Sequence, residues 1–300
     1  MLFRSNVTKR YDDILAIDHI SAEMKSGSVF GLVGSNGAGK STFLRLLAGI
    51  LRPEEGQILI DGEPVWENAA RKESFFYISD EQHFFQNATP VDMMNYYAKV
   101  YPRFDKERVT KLLATFELDG KRKINTFSKG MKKQLSVILG VSAKTDYIFC
   151  DETFDGLDPV MRQTVKSLFA SDMAERALTP VIASHNLREL EDICDHVGLL
   201  HKGGVLFSRD LEDMKLGMSK AQAVFQNPMK REDFQGLDII KFEQRGSMYT
   251  ITARAGQEEM SNVISAHAPI FFETLPLSLE EIFISETEVA GYDIKSLLQE

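Results

Sequence analysis

The 300-residue chain has little cysteine: Cys150 and Cys194 are the only two. They have no paired spacing and no accompanying Cys/His cluster, which excludes a disulfide framework and a zinc-finger-type site and fits a reducing compartment. No apolar run approaches the roughly 18 residues needed to span a bilayer. The opening residues Met1-Leu2-Phe3-Arg4-Ser5-Asn6 lack the apolar stretch of a secretory leader. A membrane, where one is involved, is therefore expected to be supplied by another chain. Positive charge is in deficit, with 35 Lys and Arg against 44 Asp and Glu and a net charge of -9. That balance argues against a nucleic-acid clamp, which needs a basic face. Internal repeats, low-complexity segments and sustained heptads are also missing, so neither a solenoid nor a long coiled coil is expected.

What is present is a glycine-rich loop. Gly34, Ser35, Asn36, Gly37, Ala38, Gly39, Lys40, Ser41 and Thr42 match the pattern G-x-x-x-x-G-K-[ST]. The apolar run Val29 to Val33 before it reads as a buried strand, and Phe43 to Ala48 after it has helical periodicity. The loop is thus a strand-to-helix turn. Its glycines can take positive φ, letting backbone N–H groups converge on phosphate oxygens where the helix dipole is positive. In such a loop Lys40 reaches the β- and γ-phosphates and Ser41 ligates Mg²⁺, so a nucleoside triphosphate and Mg²⁺ are the expected ligands.

Further along, alternating apolar residues between Leu2 and Ala22, with Ile58 to Ile60 before an Asp61-Gly62 turn, predict short antiparallel strands. Helical spacing runs from Pro90 to about residue 145. Apolar strands return at Tyr147 to Cys150 and Val181 to Ala183, separated by a helical segment from Val160 to Ala170. A hairpin is expected from His196 to Phe207, turning at Lys202-Gly203-Gly204. Beyond residue 216, strands at Ile239 to Phe242 and Met248 to Thr252 and a helix near Met260 to His267 indicate a small appendage, while the pattern is weak from Leu216 to Gln222. The fold class expected is α/β: a P-loop NTPase core with a mostly parallel sheet, an antiparallel β layer and an inserted helical subdomain at about 90–145, plus a small C-terminal α+β domain. The expected domains are 1–215 and 216–300.

A strand ending in two acids, Tyr147-Ile148-Phe149-Cys150-Asp151-Glu152, suits a Walker B element, with Asp151 in the Mg²⁺ shell and Glu152 orienting the attacking water. Phe127-Ser128-Lys129-Gly130-Met131 lies upstream, and Gly156-Leu157-Asp158 and Ser184-His185 lie downstream. In this order and spacing, from Tyr11 to His185 and beyond, the chain resembles the ATP-binding subunits of ABC transporters. The resemblance implies that Tyr11 stacks on adenine and that His185 contacts the γ-phosphate. It also implies that Ser128, Lys129 and Gly130 form a signature loop acting in trans, and that Asp158 belongs to the D-loop. Hydrolysis then requires a homodimer or heterodimer of cassettes, in which Glu152, His185 and Lys40 carry the chemistry. A polytopic membrane permease is the expected partner, nucleic acid is not, and the chain is expected in the cytoplasm, peripheral on the inner face of the membrane.

The sequence departs from the family pattern at several positions. Lys129 stands where glycine is usual and Met131 where glutamine is frequent. Asp80 occupies the position of the Q-loop glutamine, as a third candidate metal ligand beside Ser41 and Asp151, with Gln82 as a neighbour able to substitute if the loop shifts. Thr153 replaces a proline. Leu277 to Phe283 resembles a motif near the end of drug- and peptide-exporter ATPases. Tyr97 to Asp105 is similar to a bacterial subgroup exporting antibiotics and amphipathic, phenol-soluble-modulin-like peptides. The implied function is ATP-driven export through a separate permease. The alternatives are a soluble ABC-type protein acting on nucleic acid or ribosomes, a GTPase or kinase (for which an Asn-Lys-x-Asp motif is missing), and a non-catalytic dimerisation partner.

Overall fold

In the computed structural model, which describes residues 2–289, the chain opens with β1 (Leu2–Tyr11) and β2 (Ile14–Met24). It continues through β3 (Phe30–Val33), α1 (Lys40–Leu47), β4 (Glu55–Ile60), the short β5 (Glu63–Pro64), α2 (Ala69–Lys72) and β6 (Phe75–Ile78). Three helices follow, α3 (Pro90–Val100), α4 (Lys106–Thr115) and α5 (Lys129–Ser142). Alternation then resumes with β7 (Tyr147–Asp151), α6 (Pro159–Arg176), β8 (Thr179–Ser184), α7 (Leu187–Glu191), β9 (His196–His201) and β10 (Gly204–Asp210). Last come α8 (Leu211–Leu216), β11 (Ser219–Val224), β12 (Asp238–Arg245), β13 (Met248–Arg254), α9 (Gln257–Ser265), β14 (Phe271–Leu275) and α10 (Leu279–Val289).

The central sheet has the order β10-β9-β3-β8-β7-β6, and the pairs from β9 to β6 are parallel. Every residue of β3, β7 and β8 is buried. That is why these strands read as continuous apolar runs rather than alternating ones: both faces are covered. Because β3, β8 and β7 are neighbours running the same way, their carboxyl ends bring residues 34, 151–152 and 184–185 to one edge, where ligands of parallel α/β sheets bind.

An antiparallel sheet of order β2-β1-β4-β5 forms the second layer. Its first two strands are one long hairpin rather than several short strands. Register shifts at Arg4/Val7 and Val7/Lys9 interrupt the alternation that would have shown its length. α1 lies between the layers, burying Phe43, Leu44, Leu46 and Leu47 against Val7, Ile17 and Ile60 on one side and Phe149 and Val181 on the other. Each such side chain contributes about 1.5–3 kcal/mol on burial, so the helix that starts at the phosphate loop is among the most firmly anchored elements.

The helices between β6 and β7 carry their own start signals. Thr89 and Asp92 form a capping box with Pro90 in the first turn of α3, and Asp105 caps α4 by accepting from Arg108 N. Asp172, on α6 and fully buried, lies 2.7 Å from Arg108 and 2.8 Å from Arg176, so α6 is tied by charge to α4. Removing one partner of a buried ion pair strands the others. Asp172→Ala is therefore expected to lower unfolding free energy by about 3–5 kcal/mol, read from urea denaturation; an unchanged midpoint would contradict this role.

The chain divides into two compact units between Ser208 and Arg209, ahead of the 215/216 division expected, with α8 packing against α10 within the second unit. That unit holds an antiparallel sheet of order β12-β13-β11-β14. Its core joins Ala221, Ala223, Tyr249 and Ile251 to Met260 and Ile264 of α9. β11 and β14 are additions to the two strands expected there. β11 alternates in burial, but its inward residues are Ser219, Ala221 and Ala223, whose small side chains give almost no apolar signal.

Candidate active site

The phosphate loop spans the end of β3 and the start of α1. Gly39, the residue before α1, has φ of 105°, and a Cβ there would run into the Ala16 carbonyl oxygen. Only glycine satisfies both conditions. Gly37 has φ of 79° with open space around it, so it answers to backbone conformation alone. Lys40 is 5 % exposed, and its ammonium donates to the carbonyls of Gly34 at 2.8 Å and Ser35 at 3.2 Å.

Facing that ammonium is Glu152, whose Oε1 lies 3.3 Å from Lys40 Nζ. Its Oε2 lies 2.9 Å from Nδ1 of His185, which follows β8. Lys40, Glu152 and His185 thus form one polar cluster drawn from the start of α1 and the ends of β7 and β8. Beside it, Ser41 Oγ donates to Asp151 Oδ1 at 2.9 Å, and the Tyr77 hydroxyl donates to Asp151 Oδ2 at 3.2 Å. Burial pushes the Asp151 carboxyl above its ordinary range, with the Ser41 and Tyr77 hydrogen bonds and the Arg45 charge opposing that push. A divalent cation would answer the same need, because Asp151 and Ser41 offer adjacent hard oxygen donors of the kind Mg²⁺ takes. The residues present therefore fit the ion, which Ser41 and Asp151 would hold.

Asp80 sits elsewhere. It lies 3.3 Å from Lys133 Nζ, and that same ammonium donates to the Glu152 carbonyl at 2.6 Å. Gln82 turns back on its own loop, donating to the carbonyls of Ser79 at 2.6 Å and Asp80 at 2.9 Å. Neither residue joins the Ser41–Asp151 pair. Tyr11 is 40 % exposed at the end of β1, with Lys9 Nζ 5.7 Å from its ring centre. It is available for stacking and separate from the cluster.

Ser128 is the N-cap of α5, accepting from Met131 N at 3.2 Å, and both Ser128 and Lys129 are exposed. Lys129 lies 3.7 Å from Asp155. Asp158 caps α6, accepting from Val160 N and Met161 N. Thr153, directly after Asp151 and Glu152, is fully buried. Two residues at the site escaped sequence reading: Tyr77, hidden in an apolar strand, and Lys133, hidden in a helix whose lysines look like a solvated face. A polar residue at an otherwise buried strand position was the one available signal for Tyr77.

Fold and site together define an ATP-hydrolysing P-loop cassette. A family model described as ABC transporter matches residues 17–155. The ABC transporter ATP-binding protein YtrB of Bacillus subtilis (strain 168) is 30% identical over 286 residues, covering 95% of this chain and 98% of that protein. The bacitracin transport ATP-binding protein BcrA of Bacillus licheniformis is 32% identical over 216 residues, 70% of each. A solved structure of an ATP-binding subunit of an ABC transporter superposes with a TM-score of 0.67 at 25% identity, covering 72% of this chain and 92% of that one. The chain belongs to the ABC transporter ATP-binding proteins, and within them it is an ATPase. The likeness to YtrB takes in the C-terminal unit as well as the cassette.

Proposed function

We propose that the chain hydrolyses MgATP at a site shared between two cassettes and uses the cycle to drive a separate polytopic permease in outward export of amphipathic peptides or drugs. The observation that carries this reading is the cluster of Lys40, Glu152 and His185 beside the Ser41–Asp151 pair. Phosphoryl transfer asks for positioning and charge neutralisation rather than covalent help, and this cluster offers both. Lys40 and the loop N–H groups hold the β- and γ-phosphates. Glu152 accepts a proton from the attacking water as its oxygen bonds to the γ-phosphorus and the bond to the ADP oxygen breaks. His185, against Glu152, is placed to report whether the γ-phosphate is there. Mg²⁺, held by Ser41 and Asp151, supplies charge neutralisation to the triphosphate, and Tyr11 holds the adenine.

The second half of the site is supported by α5. Its first residues include Lys129 and no acid, so side-chain charge and helix dipole add rather than cancel. Such an end favours an anion. Exposed at Ser128 and Lys129, it suits the γ-phosphate on a partner's loop. Export is supported by the likeness to BcrA, a bacitracin transport protein. On this reading the chain works in the cytoplasm, on the inner face of the membrane through its permease, and its net charge of -9 disfavours a nucleic-acid partner.

The permease-facing surface is assigned to the segment after β6. Phe85 is 56 % exposed and meets Tyr96 of α3 edge-on at 4.8 Å between ring centres. Exposed aromatic anchors of this kind are interface hot spots. Replacing Phe84 and Phe85 with alanine is expected to leave the basal ATPase of the purified chain within about twofold and to remove its response to the reconstituted permease. Normal stimulation by the permease in the double variant would overturn the assignment.

A further inference from the structure

Lys133, in the second turn of α5, is fully buried. A buried ammonium must be paired. It is also poorly placed near a helix N-terminus, where the dipole opposes a cation, and no acid in the first turn of α5 relieves it. Three oxygens from outside the helix do: the Glu152 carbonyl at 2.6 Å, Asp80 at 3.3 Å and Asp155 at 3.8 Å.

The backbone it touches is unusual. Glu152 has φ of 46°, a left-handed conformation that L residues with a Cβ avoid. Its N–H donates to the Ala183 carbonyl at 3.0 Å, and its own carbonyl accepts from Lys133. With the main chain held from both sides, the side chain reaches Lys40 and His185.

We propose that Lys133 is a positioning residue for hydrolysis: it pins Glu152 in its left-handed conformation and, through Asp80, ties that conformation to the segment after β6. This rests on the reading of Glu152 as the group that accepts the water proton. Asp80, at the position where the family usually has glutamine, then acts in this chain as the counter-ion of the positioning lysine. Because the same segment carries Phe84 and Phe85, movement there reaches the Glu152 main chain through a single charge.

The test uses the purified full-length chain, with steady-state phosphate release, binding of a fluorescent ATP analogue and thermal unfolding. Lys133→Met keeps the unbranched stem of the side chain up to the ε position and removes the charge and donor. It is expected to lower kcat about 100-fold, the cost of an ångström-scale misplacement, with KM and analogue binding held within about threefold. Asp80→Asn, at a half-exposed position, is expected to lower kcat about fivefold in the parent chain and not further in Lys133→Met, because the two act through one contact. A kcat for Lys133→Met within threefold of the parent, or a loss of kcat matched by a loss of nucleotide binding, would overturn the proposal. Should Lys133→Met fail to fold, Asp80→Asn decides: unchanged kcat overturns it and reduced kcat at unchanged KM supports it. Ordinary turnover by Glu152→Gln would instead sink the assignment of Glu152, so the two failures are told apart.

Discussion

Glu152→Gln is expected to reduce ATP turnover about 1000-fold, within the range that a positioned general base contributes. The amide keeps the size of the side chain but cannot take a proton from water. It also removes a negative charge that lies 3.3 Å from Lys40 and 2.9 Å from His185. Loss of that charge lessens repulsion of the incoming triphosphate and frees Lys40 from its carboxylate, so ATP binding should hold or tighten while hydrolysis stops. The variant should therefore collect as an ATP-bound dimer. Phosphate release and light scattering with and without MgATP check the two halves separately. Turnover near the parent value would remove Glu152 from its role, whereas a dead but monomeric variant would count against a shared site.

A mixing experiment gives the second large effect. Lys40→Ala removes the cation of the phosphate loop, and Gly130→Asp sets a carboxylate at the N-terminus of α5, where an anion is to be received. Each variant alone should retain less than about 1% of activity, since phosphate clamps of this kind are worth about two to three orders of magnitude. Mixed, they form heterodimers in which one of the two composite sites is built from the intact loop of one chain and the intact signature of the other. About a quarter of the parental turnover should return if the two chains pair at random and each intact site works alone, because half the dimers are mixed and each carries one good site. No recovery at any ratio would mean that the signature does not act across a dimer seam.

The most legible parts of the sequence were those whose chemistry is local. The phosphate loop, the acid pair at the end of β7 and the histidine after β8 announce themselves because glycine at positive φ, acids after an apolar run and a fixed order leave few alternatives. The buried strands β3, β7 and β8 were equally plain, since two covered faces demand unbroken apolar runs. β11 was not, because its inward Ser219, Ala221 and Ala223 leave room for α9 instead of supplying bulk. The length of the β1–β2 hairpin was hidden for a related reason: its register shifts break the period-2 pattern from which strand length is read.

Sequence by itself determined the class of chemistry and the family, because the residues that meet a triphosphate must be of particular types at particular spacings along a short stretch of chain. Tertiary structure alone decided which distant groups share a charge. Lys133 reads as one more lysine in a basic helix and Asp80 as a departure from the family pattern, until folding sets the Lys133 ammonium between Asp80 and the Glu152 carbonyl. Tyr77 likewise becomes a partner of Asp151 only once β6 and β7 pair. The physical reason is that an ion pair or hydrogen bond depends on distance and desolvation, and neither quantity exists until the chain has closed on itself.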